Sequence, residues 1–335
     1  MAGTILGYAI VAAFVLVCGW YVYSHWSDFA FLRRISYPEA VVAGLLVLAS
    51  YVLNVLQMNL FLSKFGVRLG FIELTGITNG MILANLVVPM RGGTGGLAVY
   101  LKKRHGLDFG AFAVIYAGTA LLTALINTGL ALMALVLLAS VYRLFSPVLS
   151  LGVAGLFAVC LYLSLFPPPL EWRGGKLIGM LTRLTRSWHL LTRDRRLLAW
   201  ASVLLLLISL CLTASFYFIY RSIGEPLSVS AVIVTSSLGG IANLVPLTPG
   251  SLGIFDTVTI QIPQLFGLDP ARAIAGTLVF RILTFSWACI LGIPGMIYIV
   301  SRRGKAGETE KQSEDMSPPR SHSVSVDPHS ASSRE

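Results

Sequence analysis

Residues 109–142 hold no charged side chain. A helix needs roughly 20 apolar residues to cross the hydrocarbon of a bilayer, so this run is long enough for a tilted crossing. Further runs of this kind cover 5–24, 41–63, 147–167, 198–220 and 273–300, and only the last carries a charge, Arg281. A chain with this many spanning-length runs cannot bury them in one aqueous core. The expected fold class is an all-α polytopic membrane protein. Composition agrees, because 12% of residues are charged and mean hydropathy is +0.78, whereas a soluble domain carries roughly 25% charge. The N-terminal run lacks a charged leader and is of full length, so it reads as a first span rather than a cleaved signal.

The 25 Lys and Arg outnumber the 15 Asp and Glu, for a net charge of +10. The basic residues lie between the apolar runs, which fits orientation by the positive-inside rule and contact with anionic headgroups, not nucleic acid. Cys18, Cys160, Cys211 and Cys289 all fall inside apolar runs, and no two histidines share metal-ligand spacing. No metal and no cofactor are expected. Catalytic residues are likewise not expected, since no nucleophile–base pairing, phosphate-binding Gly-Lys-Ser/Thr loop or carboxylate cluster is present.

Two further apolar stretches differ in character. Residues 72–90 are broken by Thr75, Thr78, Asn79 and Asn85 and end at Pro89, before Arg91-Gly-Gly-Thr-Gly-Gly96. Residues 229–248 are studded with Ser, Thr and Asn and lead into Pro249-Gly-Ser-Leu-Gly253. These stretches also carry an internal repeat. Ala84-Asn-Leu-Val-Val-Pro89 returns as Ala242-Asn-Leu-Val-Pro246, and Gly93-Thr-Gly-Gly96 returns as Gly250-Ser-Leu-Gly253. Gly66-Val-Arg-Leu69 returns as Gly224-Glu-Pro-Leu227, and Gly106-Leu-Asp108 as Gly267-Leu-Asp269. The order is kept throughout, so a duplicated unit is expected: repeat one over about 1–142, repeat two over about 147–300.

Two topologies fit the hydropathy. Either both broken stretches cross fully, giving eight spans, or each folds with its Gly-rich turn and short following helix into a re-entrant hairpin. The second gives six spans and inverted repeats. Charge separates them. With re-entrant hairpins and both termini cytoplasmic, the inner side gathers five basic residues at 64, 68, 102, 103 and 104, seven in 171–196 and six beyond 301. Only Arg33, Arg34, Arg143 and Arg221 then lie clearly outside. Eight spans strand the tail, Lys64 and Arg68 on the wrong side. The re-entrant model is adopted, with 171–196 as a basic cytoplasmic loop and 302–335 as a disordered, charged, Ser- and Pro-rich cytoplasmic tail.

Pro and clustered Gly at membrane depth free backbone groups that lipid cannot satisfy. Broken segments at matching places in two halves point to a transporter's substrate site. The candidate substrate-binding residues follow from this. Arg91 and the amides of Gly92, Gly93, Thr94, Gly95 and Gly96 suit an anionic headgroup. Pro249, Gly250 and Gly253 form the second tip. Asp256 and Arg281 are costly ionisable groups at depth and are expected to pair, as an ion pair or as a gate. Asn85 and Asn243 precede the prolines and are placed to satisfy freed backbone. Asn54 and Gln57 share a helix face and are expected to bond a neighbouring helix, whereas Tyr116 and Trp287 read as packing residues.

The second tip, Leu244-Val-Pro-Leu-Thr-Pro249-Gly-Ser-Leu-Gly253-Ile-Phe-Asp256 with Gly267 and Arg281, resembles the lysylphosphatidylglycerol synthase transmembrane-domain family. The first, Pro89-Met-Arg91-Gly-Gly93 followed by Leu101-Lys-Lys-Arg-His-Gly106, is similar to that family's first-half motif. Thr94 stands where that motif carries Glu, and Asp256 where the second carries Glu. The resemblance covers about residues 1–300. It implies a bacterial inner-membrane, lipid-handling domain, here a stand-alone member without the aminoacyl-transferase domain to which some members are fused.

The resulting reading is a transporter or flippase of an anionic phospholipid or polyprenyl-linked lipid. The alternatives are a non-catalytic membrane partner of a lipid-modifying or envelope-assembly enzyme and, third, an integral-membrane transferase using Asp256. The partners expected are the membrane and its lipid, with a second copy or an enzyme as further candidates.

Overall fold

The computed structural model describes residues 35–88, 91–142, 147–165, 194–225, 227–245, 251 and 253–315. The first expected span, most of the 171–196 loop, the far tail, Pro89, Pro249 and Gly250 lie outside the described residues. Nine helices and no strands are found among those described. They are α1 (Tyr37–Lys64), α2 (Phe71–Val87), α3 (Gly92–His105), α4 (Phe109–Tyr142), α5 (Pro147–Leu165), α6 (Arg195–Ser222), α7 (Val229–Ala242), α8 (Ile254–Leu265) and α9 (Pro270–Asp315). Five are long and apolar enough to cross a membrane: 37–64, 109–140, 147–164, 195–222 and 270–297. The chain is therefore an all-helical, multi-pass membrane protein. Helix α9 outruns its apolar stretch, so 302–315, read from sequence as disordered tail, is helical here. Its Arg, Lys, Glu and Gln residues are good helix formers.

α1 and α6 lie against each other and run antiparallel. Both have charges that suit their ends, with Glu39 in the first turn of α1 and Lys64 in its last, and Arg221 closing α6. Both stop the same way, at a glycine with positive φ, 77° at Gly66 and 83° at Gly224. The Lys64 ammonium meets the Asp194 carboxylate at 2.6 Å. At the opposite end Arg221 faces Glu39 at 3.8 Å, and the Ser36 N–H donates to the Ser222 carbonyl at 2.9 Å. Between these ends Ala43, Val47 and Tyr51 of α1 pack with Phe216, Ile219 and Tyr220 of α6.

α2 and α3 form a tight hairpin. At its base, Glu73 in the first turn of α2 accepts from Tyr100 and contacts His105 at 3.0 Å, both near the end of α3. At its tip Asn85 bonds Thr94. The arms have 17 and 14 residues, about 25 and 21 Å at 1.5 Å per residue, short of a hydrocarbon layer of about 30 Å. α7 and α8 pair in the same manner with arms of 14 and 12 residues. Their base lies beside the Glu225–Arg272 ion pair, which ties the segment before α7 to the start of α9. Hairpin one thus opens where α1 ends and hairpin two where α6 ends, which are opposite ends of the antiparallel α1–α6 pair.

The remaining contacts follow one scheme. α2 packs on α9 and α7 packs on α4, while α5 attaches to α4. Exchanging α1–α4 for α6–α9 turns the first pairing into the second and returns α1–α6 to itself. Lipid tails are as apolar as Leu, so association of these helices rests on close backbone approach and hydrogen bonds. At the α2–α9 crossing Gly76 lies against Gly295, and Gly292 lies against the Asn79 carbonyl. Asn54 corrects one expectation, because its amide donates to Ser50 O of its own helix at 2.8 Å and not across to another. Tyr51 of the same helix does donate across, to Thr284 O at 2.8 Å.

Candidate functional site at the two hairpin tips

Arg91 occupies the N-cap position of α3 with φ 53° and ψ 46°. Left-handed backbone is costly for any residue with a Cβ. The guanidinium reaches α4 and the end of α7. That guanidinium donates to the Tyr116 hydroxyl on α4 and to the Asn243 carbonyl at the end of α7. Its central carbon lies 5.5 Å from the Tyr116 ring centroid. One side chain thus joins hairpin one, α4 and hairpin two. Both of its partners are neutral oxygens.

The glycine run after Arg91 divides in two. A Cβ on Gly93 would lie 2.8 Å from the Asn85 amide oxygen and from Ala84, and would also crowd the Met81 carbonyl. Gly93 therefore lets α3 lie on α2. Gly95 and Gly96 are exposed and open. Of the amides expected to face a ligand, that of Thr94 is already used, since its N–H donates to Asn85 Oδ1 at 3.0 Å. Asn85 also donates to Thr94 Oγ1 at 3.1 Å. It clamps the arms of hairpin one by satisfying a free amide in the first turn of α3.

At the second tip Ser251 is also left-handed, with φ 53°. It is buried and donates to the Asn243 carbonyl at 3.3 Å. Asn243 therefore contributes its backbone oxygen, which accepts from Arg91 and Ser251. Gly253, with φ 94°, caps α8. Its N–H donates to Asp256 Oδ2 at 3.1 Å. Asp256 is 3% exposed and is gripped in two-pronged fashion by Arg281, Nε to Oδ1 at 2.8 Å and Nη2 to Oδ2 at 3.0 Å. The Arg281 guanidinium also lies 4.6 Å from the Phe255 ring centroid. The pair expected from sequence is thus formed, and it ties α8 to α9. Charge-assisted bidentate bonding of this kind is what permits a carboxylate to sit at such depth.

Sequence reasoning missed Tyr116 and Ser251 as partners. Tyr116 sits in an uncharged run 25 positions from Arg91, and nothing local marks it. Trp287, read as packing, also donates a hydrogen bond, to Gly44 O at 2.8 Å. No grouping of three or more His, Cys, Asp or Glu suited to a metal occurs among the described residues.

Helices long enough to cross the bilayer, two short hairpins and charged groups held between their tips define a polytopic membrane protein with a built polar centre. The family model for the lysylphosphatidylglycerol synthase TM region matches residues 4–292, and the chain belongs to that family. It is also similar to a UPF0104 membrane protein of Methanothermobacter thermautotrophicus, at 23% identity over 250 residues, which cover 66% of this chain and 73% of that protein. No solved structure matches it.

Proposed function

We propose that the protein moves an anionic lipid or lipid-linked intermediate across the bilayer as a non-enzymatic flippase. The observation that carries this reading is the Arg91 guanidinium, set between the two tips on two neutral oxygens. A lipid phosphate arriving there exchanges those neutral acceptors for an anionic one. The present bonds already have a charged donor, and an anionic acceptor adds ion-pair attraction and the option of two-pronged bonding to it. The same exchange releases hairpin one from the Asn243 carbonyl, so headgroup binding and separation of the tips are one event. The acyl or prenyl chains stay in lipid throughout.

In this reading the two halves are inverted repeats, about 1–142 and 147–300, and each hairpin is re-entrant from its own side. The short arms, the bases at opposite ends of α1–α6 and the exchangeable packing scheme support it. Rocking one half against the other alternates access to the tips. Both chain ends then lie on the cytoplasmic side, as the count of basic residues favours. The test is transport of a headgroup-labelled phosphatidylglycerol in proteoliposomes, read by quenching of the outer leaflet. Arg91→Ala is expected to abolish it while the protein still expresses and folds. Retained transport overturns the assignment of Arg91.

A further inference from the structure

The apolar segments of this chain contain very few formal charges. Between Glu73 and Lys102 the sole Lys, Arg, Asp or Glu is Arg91, and between Glu225 and Asp269 it is Asp256. Between Arg272 and Arg302 it is Arg281, and residues 5–24, 41–63, 109–142 and 197–220 have none. With both hairpins re-entrant, three charges therefore stand at depth. Asp256 and Arg281 neutralise each other through two hydrogen bonds. What is left is one positive charge, on Arg91, whose partners are a phenol and a carbonyl. In sequence, Pro89 and Met90 before Arg91, and 246–250 and Leu252 between α7 and α8, add no charge of either sign.

Resting on the transport reading, we infer that the site selects a phosphodiester headgroup of net charge −1. Residual charge in a low-dielectric setting is expensive, and the sum decides which headgroup leaves none. A phosphodiester monoanion on Arg91 brings the tips to zero. A phosphomonoester ionised twice leaves one negative charge uncompensated. A zwitterion brings an ammonium beside Arg91, and like charges at close range repel. A glycerophospholipid such as phosphatidylglycerol and a polyprenyl phosphoryl-hexose share the preferred chemistry, so the tail is an independent variable.

The test is head-to-head competition on the detergent-purified full chain, read by native mass spectrometry at pH 8. The probes are phosphatidylglycerol and phosphatidic acid as one diester–monoester pair, and a polyprenyl phosphoryl-hexose and the corresponding polyprenyl monophosphate as the other. Phosphatidylethanolamine is the zwitterion control. In at least one pair the diester is expected to outcompete its monoester roughly tenfold, equivalent to about 1.4 kcal/mol, and the pair with the tighter diester identifies the tail. Phosphatidylethanolamine is expected to bind more weakly than either phospholipid anion. Arg91→Gln is expected to remove the discrimination, and Arg91→Lys to keep its order at lower affinity. If the monoester wins in both pairs and Arg91→Gln loses both classes, the charge inference falls while the anion site stands. Binding that ignores Arg91→Gln overturns the site and the transport reading with it.

Discussion

Gly76→Ala tests whether hairpin one is seated on α9 as described. An added Cβ would lie 2.7 Å from the Gly295 Cα, 2.9 Å from its carbonyl carbon and 3.0 Å from its oxygen. Carbon atoms are comfortable at about 3.5–4.0 Å. All three neighbours are backbone, so no rotamer change relieves the clash and the two helices must part by nearly an ångström. Overpacking of this kind costs about 3 kcal/mol at the upper end of its usual range. Against it stands the gain of about 1 kcal/mol for Ala over Gly in a helix, leaving a net loss of about 2 kcal/mol. Gly152→Ala, on α5 where nothing lies within 4 Å, receives only the gain. Gly80→Ala meets only side-chain atoms of Met296, Cγ at 2.8 Å and the sulfur at 3.2 Å; this unbranched chain can repack where backbone cannot, so the variant should fall between. The assay is reversible unfolding in SDS mixed micelles followed by tryptophan fluorescence. Gly76→Ala and Gly152→Ala should differ by about 3 kcal/mol. A Gly76→Ala protein as stable as wild type would refute the close crossing.

Further outcomes follow from the same geometry. Arg91→Gly removes the left-handed penalty along with the cation, so it should be about 1 kcal/mol more stable than Arg91→Ala while binding lipid no better, measured by melting and by lipid retention. Asp256→Asn leaves Arg281 facing a neutral amide at depth, and should cost about 3 kcal/mol in the same unfolding assay; an unchanged midpoint would mean that the pair adds nothing. Asn85→Ala loses both bonds to Thr94 and should cost 1–2 kcal/mol, roughly one per bond. Asn85→Asp retains an acceptor for the Thr94 N–H, and the Thr94 hydroxyl can turn to donate, so it should recover much of that loss. The hydrogen bond from Lys64 holds the Asp194 carboxyl below its ordinary range, with the Leu197 N–H adding to it. Its contribution is present above the unfolded carboxylate pKa of about 3.9 and is lost as pH falls through the lower folded value. Stability measured between pH 5 and pH 2 should therefore decline less steeply in Asp194→Asn, by a small amount, because the carboxylate is exposed.

The long helices were legible because a bilayer writes its thickness into the sequence as runs without charge, and α4 begins and ends where residues 109–142 do. That each broken stretch pairs with the short helix after it was legible from the Pro and Gly between them, and the Asp256–Arg281 pair from the cost of leaving either charge unpaired in an apolar setting. What escaped was anything fixed by contacts far apart in the chain. Arg91 meets Tyr116 and Asn243, 25 and 152 positions away, and neither partner has a local signature. Asn54 failed as a cross-helix donor because the Ser50 carbonyl one turn back was nearer. The amide of Thr94 was counted as free because sequence does not reveal that Asn85 turns toward it.

The link between the two tips ends on a main-chain oxygen. Arg91 and Ser251 both point at the carbonyl of residue 243, and every amino acid supplies that atom. Side-chain scanning at position 243 is therefore blind to the contact, and the position can drift in sequence with the link intact. Replacing the peptide bond after residue 243 with an ester, which weakens the carbonyl as an acceptor, reaches what no coded substitution can.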